Sequence, residues 1–254
     1  MPEPGNPEIK LNHYTAAILD MDGVITQSAK PHFHAWKQMF DDYLHERAER
    51  QNEYFKPFTQ DDYYNYVDGK PRYQGAKSFL ESRGISLEQG SPDDPPGTET
   101  VCGLGNRKND YFLNYLRENG VKPYESTIDF IKEFKSENKF IAAISSSRNA
   151  KAVLKAARVI DFFDEIVDGV DTREQNLRGK PDPDIFIEAA KRLGVKPKNT
   201  IIIEDAIAGV QAGRAGKFGL VIGVNRSGQN IDLEKKGADI VVNDLSELRG
   251  IDHE

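Results

Sequence analysis

The chain has 254 residues, enough for one large domain or for a core with a smaller second domain. Its 30% charged and 38% hydrophobic residues are typical of a soluble globular protein. The net charge of −7 argues against general affinity for nucleic acid or anionic membranes, and no apolar run approaches the length of a membrane span. We therefore expect neither nucleic acid nor a membrane as a partner. We also expect a monomer.

The cysteine content and the first residues of the sequence indicate the cellular compartment. Cys102 is the one cysteine, so an intrachain disulfide is excluded and we predict a cytoplasmic protein. Residues 1–7 have neither the basic nor the apolar region of a signal peptide, and they are predicted to form a short disordered lead-in.

The first predicted strand is the apolar run at residues 14–19, which has the length and boundaries of a buried strand. The block that follows, residues 31–118, is polar, aromatic and helix-like, without clear buried strands. It is predicted to be a helical cap inserted after the first strand, with hinges near residues 27–31 and 117–124. Within it, the composition of residues 89–97 predicts a surface loop.

Strands and helices alternate in the rest of the chain. Strands are predicted at residues 140–144, 165–167, 200–203, 219–224 and 239–242. Helices are predicted at residues 126–137, 149–157, 183–193 and 206–215. This alternation predicts an α/β fold, with a Rossmann-like parallel sheet covered by helices on both faces. The core is assigned to residues 1–30 and 119–254, and the helical cap to residues 31–118.

Two acids, Asp20 and Asp22, follow the first predicted strand and precede Gly23, which can turn the backbone sharply. The carboxyl edge of an open parallel sheet is where ligands bind, so this pair is a candidate catalytic site. An EF-hand Ca²⁺ loop is excluded because its twelfth position is Pro31 and because a strand precedes it. A turn that merely favours Asp and Gly is the remaining alternative.

Two further strand ends carry polar groups that could bind an anion. Ser145 opens a run of three serines and Arg148 after the second core strand, and this run leads into a helix. Hydroxyls and amides at a helix N-terminus bind anions, although an ordinary serine N-cap is an alternative. Lys180 lies in a proline-stiffened loop just before a predicted helix, where it is either a site cation or a solvated surface lysine.

Glu204 and Asp205 follow a third core strand, either as a helix N-cap or as part of a site. With the first acid pair they place four carboxylates at one sheet edge, where mutual repulsion raises their pKa values. A divalent cation relieves this repulsion. Ligands that are all oxygen atoms indicate Mg²⁺ as the cofactor.

In type, order and position these residues resemble the signature of the haloacid dehalogenase superfamily, over residues 14–248. The resemblance implies phosphoryl transfer through an aspartyl phosphate, with Asp20 as the nucleophile and a metal ligand. It implies that Asp22 is the general acid/base and that its backbone carbonyl also binds the metal. A covalent intermediate divides one difficult transfer into two easier steps.

The resemblance assigns the other residues of the signature as well. Ser145 and Lys180 would hold the transferring phosphoryl group, and Glu204 and Asp205 would complete the Mg²⁺ shell. A cation and a metal ion offset the repulsion between an attacking carboxylate and a phosphate dianion.

The segments around the cap resemble the β-phosphoglucomutase-like subfamily. His32 and Trp36 stand where that subfamily has a histidine and a tryptophan. The resemblance implies that Arg72 binds the non-reacting phosphate and that Lys108 contacts the sugar phosphate. It assigns three core residues to the distal phosphate, namely Ser147, Arg148 and Asn149. Ser146, beside them, is also expected to bind substrate. Taken singly, each cap residue has an ordinary structural explanation. A mutase needs two phosphate sites because its bisphosphate intermediate must present either end, whereas a phosphatase needs one.

The expected function is therefore a Mg²⁺-dependent mutase that interconverts β-glucose 1-phosphate and glucose 6-phosphate through glucose 1,6-bisphosphate. A sugar-phosphate phosphatase with the same nucleophile is the alternative, and a silent sugar-phosphate binding protein is a third. Another hexose phosphate or a disaccharide phosphate is also open as substrate. The chain departs from the subfamily at Gln27, where an aspartate is expected, and in a longer cap loop at residues 91–106.

Overall fold

The computed structural model describes residues 11–52, 54–68, 70–226 and 232–248. The lead-in predicted at residues 1–7 lies outside them. The chain forms two compact units, which are described separately below. Residues 1–28 and 121–254 form the sheet unit, and residues 29–120 form the helical unit.

The sheet unit contains one six-stranded sheet in which every neighbouring pair of strands is parallel. Its strands are β1 Ala16–Asp20, β2 Phe140–Ile144, β3 Glu165–Val167, β4 Thr200–Glu204, β5 Leu220–Val224 and β6 Ile240–Val242. Their order across the sheet is β3-β2-β1-β4-β5-β6. The predicted Rossmann-like fold is confirmed, and each predicted strand is present to within two residues.

The strand order runs outward from β1 in both directions, first to β2 and β3 on one side and then to β4, β5 and β6 on the other. The end of β1 is therefore the place where a ligand site is expected. Strand β1 pairs with β2 on one side and with β4 on the other, so that Asp20 faces Ile144 and Leu19 faces Ile203. All residues of β1 and β4 are buried, as apolar strands covered on both faces must be. The crevice beside a strand where the order reverses in this way is where ligands bind in open α/β sheets.

Helices cover the sheet between the strands. Their numbering continues from α1–α4, which belong to the helical unit described below. They are α5 Glu125–Ser136, α6 Ala150–Ala156, α7 Gly169–Glu174, α8 Asp184–Arg192 and α9 Ile207–Ala215. Short 3-10 turns lie at Leu11–His13, Ile160–Phe162, Pro197–Asn199 and Leu245–Leu248. The sequence did not predict α7, a six-residue helix whose capping box joins Asp168 and Asp171.

The helical unit is built from four α-helices: α1 Ala29–Gln51, α2 Gln60–Asp62, α3 Arg72–Ser82 and α4 Val101–Asn119. A π-helical turn at Tyr63–Val67 continues α2. An aromatic core holds the unit together, with Phe40, Phe58 and Phe79 packed at centroid distances of 4.2–5.1 Å. Among the described residues, no helix of either unit combines the length and apolar character needed to cross a membrane.

The loop predicted at residues 89–97 is present, but the prediction of an extended loop over residues 91–106 is wrong at its end. Residues from Val101 onward are the first turns of α4. The Thr100 hydroxyl caps this helix by accepting a hydrogen bond from the Gly103 N–H at 3.0 Å. A Cβ at Gly103 would lie 2.2 Å from the Thr98 carbonyl oxygen, so the glycine marks close packing inside a helix and not a flexible loop.

The chain leaves the first part of the sheet unit and returns to it at adjacent places. The Gln27 N–H donates to the Lys122 carbonyl at 2.9 Å, and the Tyr124 N–H donates to the Ile25 carbonyl at 2.9 Å. Thr26 and Pro123 form an antiparallel bridge between these two hydrogen bonds. The Gln27 side chain adds a hydrogen bond from Nε2 to the Pro123 carbonyl at 3.3 Å. The outgoing and returning segments are therefore paired.

Candidate active site

Three acids meet at the carboxyl edge of the sheet. Asp20 ends β1, Glu204 ends the neighbouring β4, and Asp205 follows it. One carboxylate oxygen from each of the three lies within 4.8 Å of the others. Glu204 is fully buried and Asp20 is 8% exposed, so these charges are withdrawn from water. The alternative that Asp205 is merely the N-cap of α9 is wrong, because Ala206 holds that position.

Lys180 supplies a positive charge to this cluster. Its Nζ lies 2.5 Å from Asp20 Oδ1 and also forms an ion pair with Glu204. Burial opposes the charged ammonium, but the two carboxylates outweigh burial and raise the pKa of Lys180. The alternative of a solvated surface lysine is therefore wrong.

One lysine does not neutralise three acids. Burial raises the pKa of Glu204, and the charge of Asp20 adds to the effect. Burial also raises the pKa of Asp205, with further contributions from Glu204 and Asp20. Such shifts mark an excess of negative charge in a buried place. The all-oxygen donor set and this excess fit a divalent cation of the Mg²⁺ type.

Two glycines provide the space for these carboxylates. Gly23 has φ +81°, and a Cβ there would lie 1.8 Å from Asp205 Oδ2. A Cβ at Gly209, in the first turn of α9, would lie 1.9 Å from the Glu204 carboxyl group. Any larger residue at either position must displace an acid of the cluster.

Asp22 lies on the turn that follows β1. In that turn the Gly23 N–H donates to the Thr26 carbonyl at 3.0 Å. The hydroxyl of Ser28, which is buried, donates a hydrogen bond to Asp22 Oδ1. Sequence reasoning missed Ser28, since nothing but its place in the predicted hinge distinguished it from other serines.

The serine run after β2 forms a tight loop at the same edge. Ser145 is buried, and its Oγ accepts a hydrogen bond from the Ser147 N–H at 3.0 Å. The Ser147 hydroxyl accepts in turn from the Asn149 N–H at 3.1 Å. Asn149 is the N-cap residue of α6, so the alternative of Ser145 as an ordinary N-cap is wrong. Ser146 and Arg148, the other two predicted residues of this loop, are exposed.

The helical unit contains a cluster of cationic side chains. Lys108 is buried on α4, and its Nζ lies 2.9 Å from Nδ1 of His32 on α1. The same Nζ lies 5.1 Å from the Trp36 ring centroid and 4.6 Å from that of Phe112. Burial lowers the pKa of His32, and Lys108 and Arg72 lower it further. His32 is therefore neutral at neutral pH, and its Nδ1 accepts from the ammonium.

Arg72 begins α3 on the same unit. One of its guanidinium nitrogens donates to Asn109 Oδ1 on α4 at 2.6 Å. The structure thus gathers four predicted residues within the helical unit: His32, Trp36, Arg72 and Lys108. It gathers another four within the sheet unit: Asp20, Lys180, Glu204 and Asp205.

The family model for haloacid dehalogenase-like hydrolases matches residues 14–217 of the chain. This protein belongs to that family.

Its relatives define the subfamily more narrowly. The chain is 48% identical to a β-phosphoglucomutase of Mycobacterium bovis over 92% of this chain and 90% of that protein. It is 33% identical to a β-phosphoglucomutase of Bacillus subtilis over 92% and 91% of the two chains. A crystal structure of β-phosphoglucomutase from Clostridium difficile superposes with a TM-score of 0.69 at 28% identity, covering 93% and 94%. Within the family, the chain groups with the β-phosphoglucomutase-like proteins.

The clearance at Gly23 can be tested by its substitution with alanine. Gly23→Ala should lower the free energy of unfolding by about 1–3 kcal/mol more than Gly194→Ala, because only the first places a methyl group against Asp205. Gly194 has φ +70° with open space around it, so the control shares the backbone strain alone. Urea unfolding measures both, and equal losses would contradict the close contact.

Proposed function

We propose that this protein is a Mg²⁺-dependent β-phosphoglucomutase that interconverts β-glucose 1-phosphate and glucose 6-phosphate through glucose 1,6-bisphosphate. The observation that carries the proposal is the 48% identity to a β-phosphoglucomutase over nearly the whole of both chains. The group formed by the buried Asp20 and Glu204 with the partly buried Lys180 and Asp205 supports phosphoryl transfer at the sheet edge. A cytoplasmic location is proposed as well, on the grounds of the single cysteine.

Asp20 is the proposed nucleophile. Its carboxylate attacks phosphorus and forms an aspartyl phosphate, which divides the transfer into two steps. Lys180 lies 2.5 Å from the carboxylate and offsets negative charge as the phosphoryl group arrives. Mg²⁺, held by Asp20, Glu204, Asp205 and the Asp22 carbonyl, would supply further positive charge to the phosphoryl oxygens.

Asp22 is the proposed general acid/base. It protonates the sugar oxygen that leaves phosphorus, and it later takes a proton from the sugar hydroxyl that attacks the aspartyl phosphate. The hydrogen bond from Ser28 orients its carboxylate. Ser145 would bind the transferring phosphoryl group from the neighbouring strand end.

The helical unit is the proposed source of the second phosphate site. Lys108 and Arg72 are held on two helices of the unit, with Lys108 fixed by His32 and Arg72 by Asn109. In the sheet unit, the loop of Ser146, Ser147, Arg148 and Asn149 is proposed to bind substrate phosphate. Two phosphate sites are what a bisphosphate intermediate requires.

A sugar-phosphate phosphatase is the second candidate. The acid cluster and Lys180 suffice for an aspartyl phosphate, and water could then accept the phosphoryl group. The two candidates differ in the acceptor, so they are separated by the product.

The product assay supplies β-glucose 1-phosphate, Mg²⁺ and a trace of glucose 1,6-bisphosphate, and it follows glucose 6-phosphate and inorganic phosphate. We expect glucose 6-phosphate in excess of phosphate, and we expect Asp20→Asn to abolish both products because it removes the nucleophile. Phosphate release in proportion to substrate loss, without isomerised product, would establish the phosphatase instead. If the wild-type protein formed no more product than Asp20→Asn, both candidate functions would be contradicted.

Lys108→Met should lower mutase kcat/KM by about 100-fold, since it removes a buried cation from the proposed sugar-phosphate site. Lys77→Met is the matched control, because Lys77 is an exposed lysine of the same unit whose ion pair with Glu81 spans 3.9 Å. Steady-state kinetics on both variants measure the difference. A Lys108→Met variant as active as the control would contradict the assignment of Lys108 to the sugar-phosphate site.

Metal binding should depend on pH in a defined direction. The raised pKa values of Glu204 and Asp205 mean that the metal-free native state holds protons which the unfolded chain has lost. The contribution of these two acids to stability therefore falls as pH rises from about 4 to about 8, because over that range the native state holds protons that the unfolded chain has released. Mg²⁺ replaces these protons, so the rise in Tm on adding it should be larger at about pH 8 than at about pH 6.

At saturating Mg²⁺ the stabilisation should reach about 2–3 kcal/mol. Thermal unfolding with and without EDTA measures the effect at both pH values. Glu204→Gln should remove most of the Mg²⁺ effect, whereas Glu133→Gln, at an exposed position on α5, should leave it intact. An equal Mg²⁺ effect at both pH values would contradict the proton displacement.

A further inference from the structure

A polar network lies behind the turn that carries Asp22, among residues that the site described above does not include. Its centre is Arg226, which follows β5. One guanidinium nitrogen forms an ion pair with Asp244, and the other donates to the Thr127 hydroxyl at 2.9 Å. The guanidinium carbon lies 3.9 Å from the centroid of the Tyr124 ring.

Thr127 connects this network to the backbone of the turn. It is fully buried in the first turn of α5, and its hydroxyl donates to the Val24 carbonyl at 2.7 Å. A hydroxyl has one proton to donate and can accept as well, so the hydrogen bond from Arg226 fixes the direction of its O–H. Val24 is two residues beyond Asp22.

Tyr124 makes a second connection to the same turn. Its N–H donates to the Ile25 carbonyl at 2.9 Å, while its ring packs against the guanidinium of Arg226. Arg226 thus contacts both residues, Thr127 and Tyr124, that donate hydrogen bonds to the turn, one to the Val24 carbonyl and the other to the Ile25 carbonyl. Together these contacts fix the outer side of the turn.

The ion pair between Asp244 and Arg226 stays charged, although its surroundings are partly buried. Burial opposes ionisation of Asp244, but hydrogen bonds from Ser246, Ser126 and Arg226 hold the pKa of this carboxyl below its usual range. Among the described residues, Arg226 Nε is a buried donor without a hydrogen-bond partner. An orphaned buried donor costs free energy, which is more readily retained where the group has a functional task.

We propose that Thr127 and Arg226 are positioning residues that hold the Asp22 turn, so that Asp22 delivers its proton to the leaving sugar oxygen. The inference rests on the proposed role of Asp22 as general acid. Because general acid catalysis requires the donor within hydrogen-bond reach of the leaving atom, a small shift of this backbone slows the proton transfer.

The chemistry of the step provides the test. As the bond from an Asp20 oxygen to phosphorus forms, the bond from phosphorus to the sugar oxygen breaks, and the Asp22 proton moves to that oxygen. With acetyl phosphate as donor, the leaving group departs as acetate and needs no proton. Loss of the acid function therefore slows phosphorylation by the sugar donor and spares phosphorylation by acetyl phosphate.

The experiment measures the rate at which Asp20 is phosphorylated, by rapid acid quench and intact-protein mass spectrometry in the presence of Mg²⁺. Thr127→Val should slow the reaction with glucose 1,6-bisphosphate by about tenfold and that with acetyl phosphate by less than about twofold. Thr127→Ser, which keeps the hydroxyl, should restore the first rate. Arg226→Lys keeps a positive charge near Asp244 but loses the guanidinium fork, and it should show the same selective loss.

Thr200→Val is the matched control for a lost buried hydroxyl. Thr200 is fully buried at the opposite end of β4, and its hydroxyl donates to the Lys196 carbonyl at 3.1 Å. Should Thr127→Val fail to fold, Arg226→Lys carries the test. Equal losses with both donors, or a Thr127→Val profile that matches Thr200→Val, would overturn the positioning role alone. A wild-type protein phosphorylated by acetyl phosphate and by no sugar bisphosphate would overturn the proposed function with it.

Discussion

The crowding of three carboxylates around one ammonium is the constraint on which the rest of the structure depends. Asp20, Glu204 and Asp205 are held together although they repel one another, and Lys180 offsets part of their charge. The parallel order of β1 and β4 brings two of these acids to one edge, and glycines behind them leave the necessary space. The fold therefore maintains an electrostatically unfavourable arrangement that a divalent cation would relieve.

The sheet and the meeting of acids at its carboxyl edge could be predicted from sequence because both depend on local pattern. The run at residues 140–144 is apolar and the run at residues 200–203 is entirely β-branched, and both patterns favour buried strands. Once strands alternate with helices, parallel order follows, and acids at strand ends must share an edge. Placing Lys180 at this edge required the family resemblance, because nothing in a proline-rich loop indicates where its lysine side chain lies.

The features that were missed depend on contacts between distant parts of the chain. Residues 101–106 contain two glycines and resemble a loop, but close packing against Thr98 and Tyr73 makes those glycines suitable within a helix. Helix α7 was missed because its six residues are mostly polar and show no helical period. The hydrogen bond between Thr127 and Val24 joins residues about a hundred positions apart, and neither residue is distinctive in sequence.

The pairing of residues 25–27 with residues 122–124 has an evolutionary consequence. Since the chain exits and re-enters the sheet unit side by side, everything between these points is an insertion whose ends are already joined by hydrogen bonds. Such an insertion can be lengthened, shortened or exchanged by recombination without breaking a strand of the sheet. New substrate ranges could therefore evolve in one module while the phosphoryl-transfer machinery is inherited unchanged in the other.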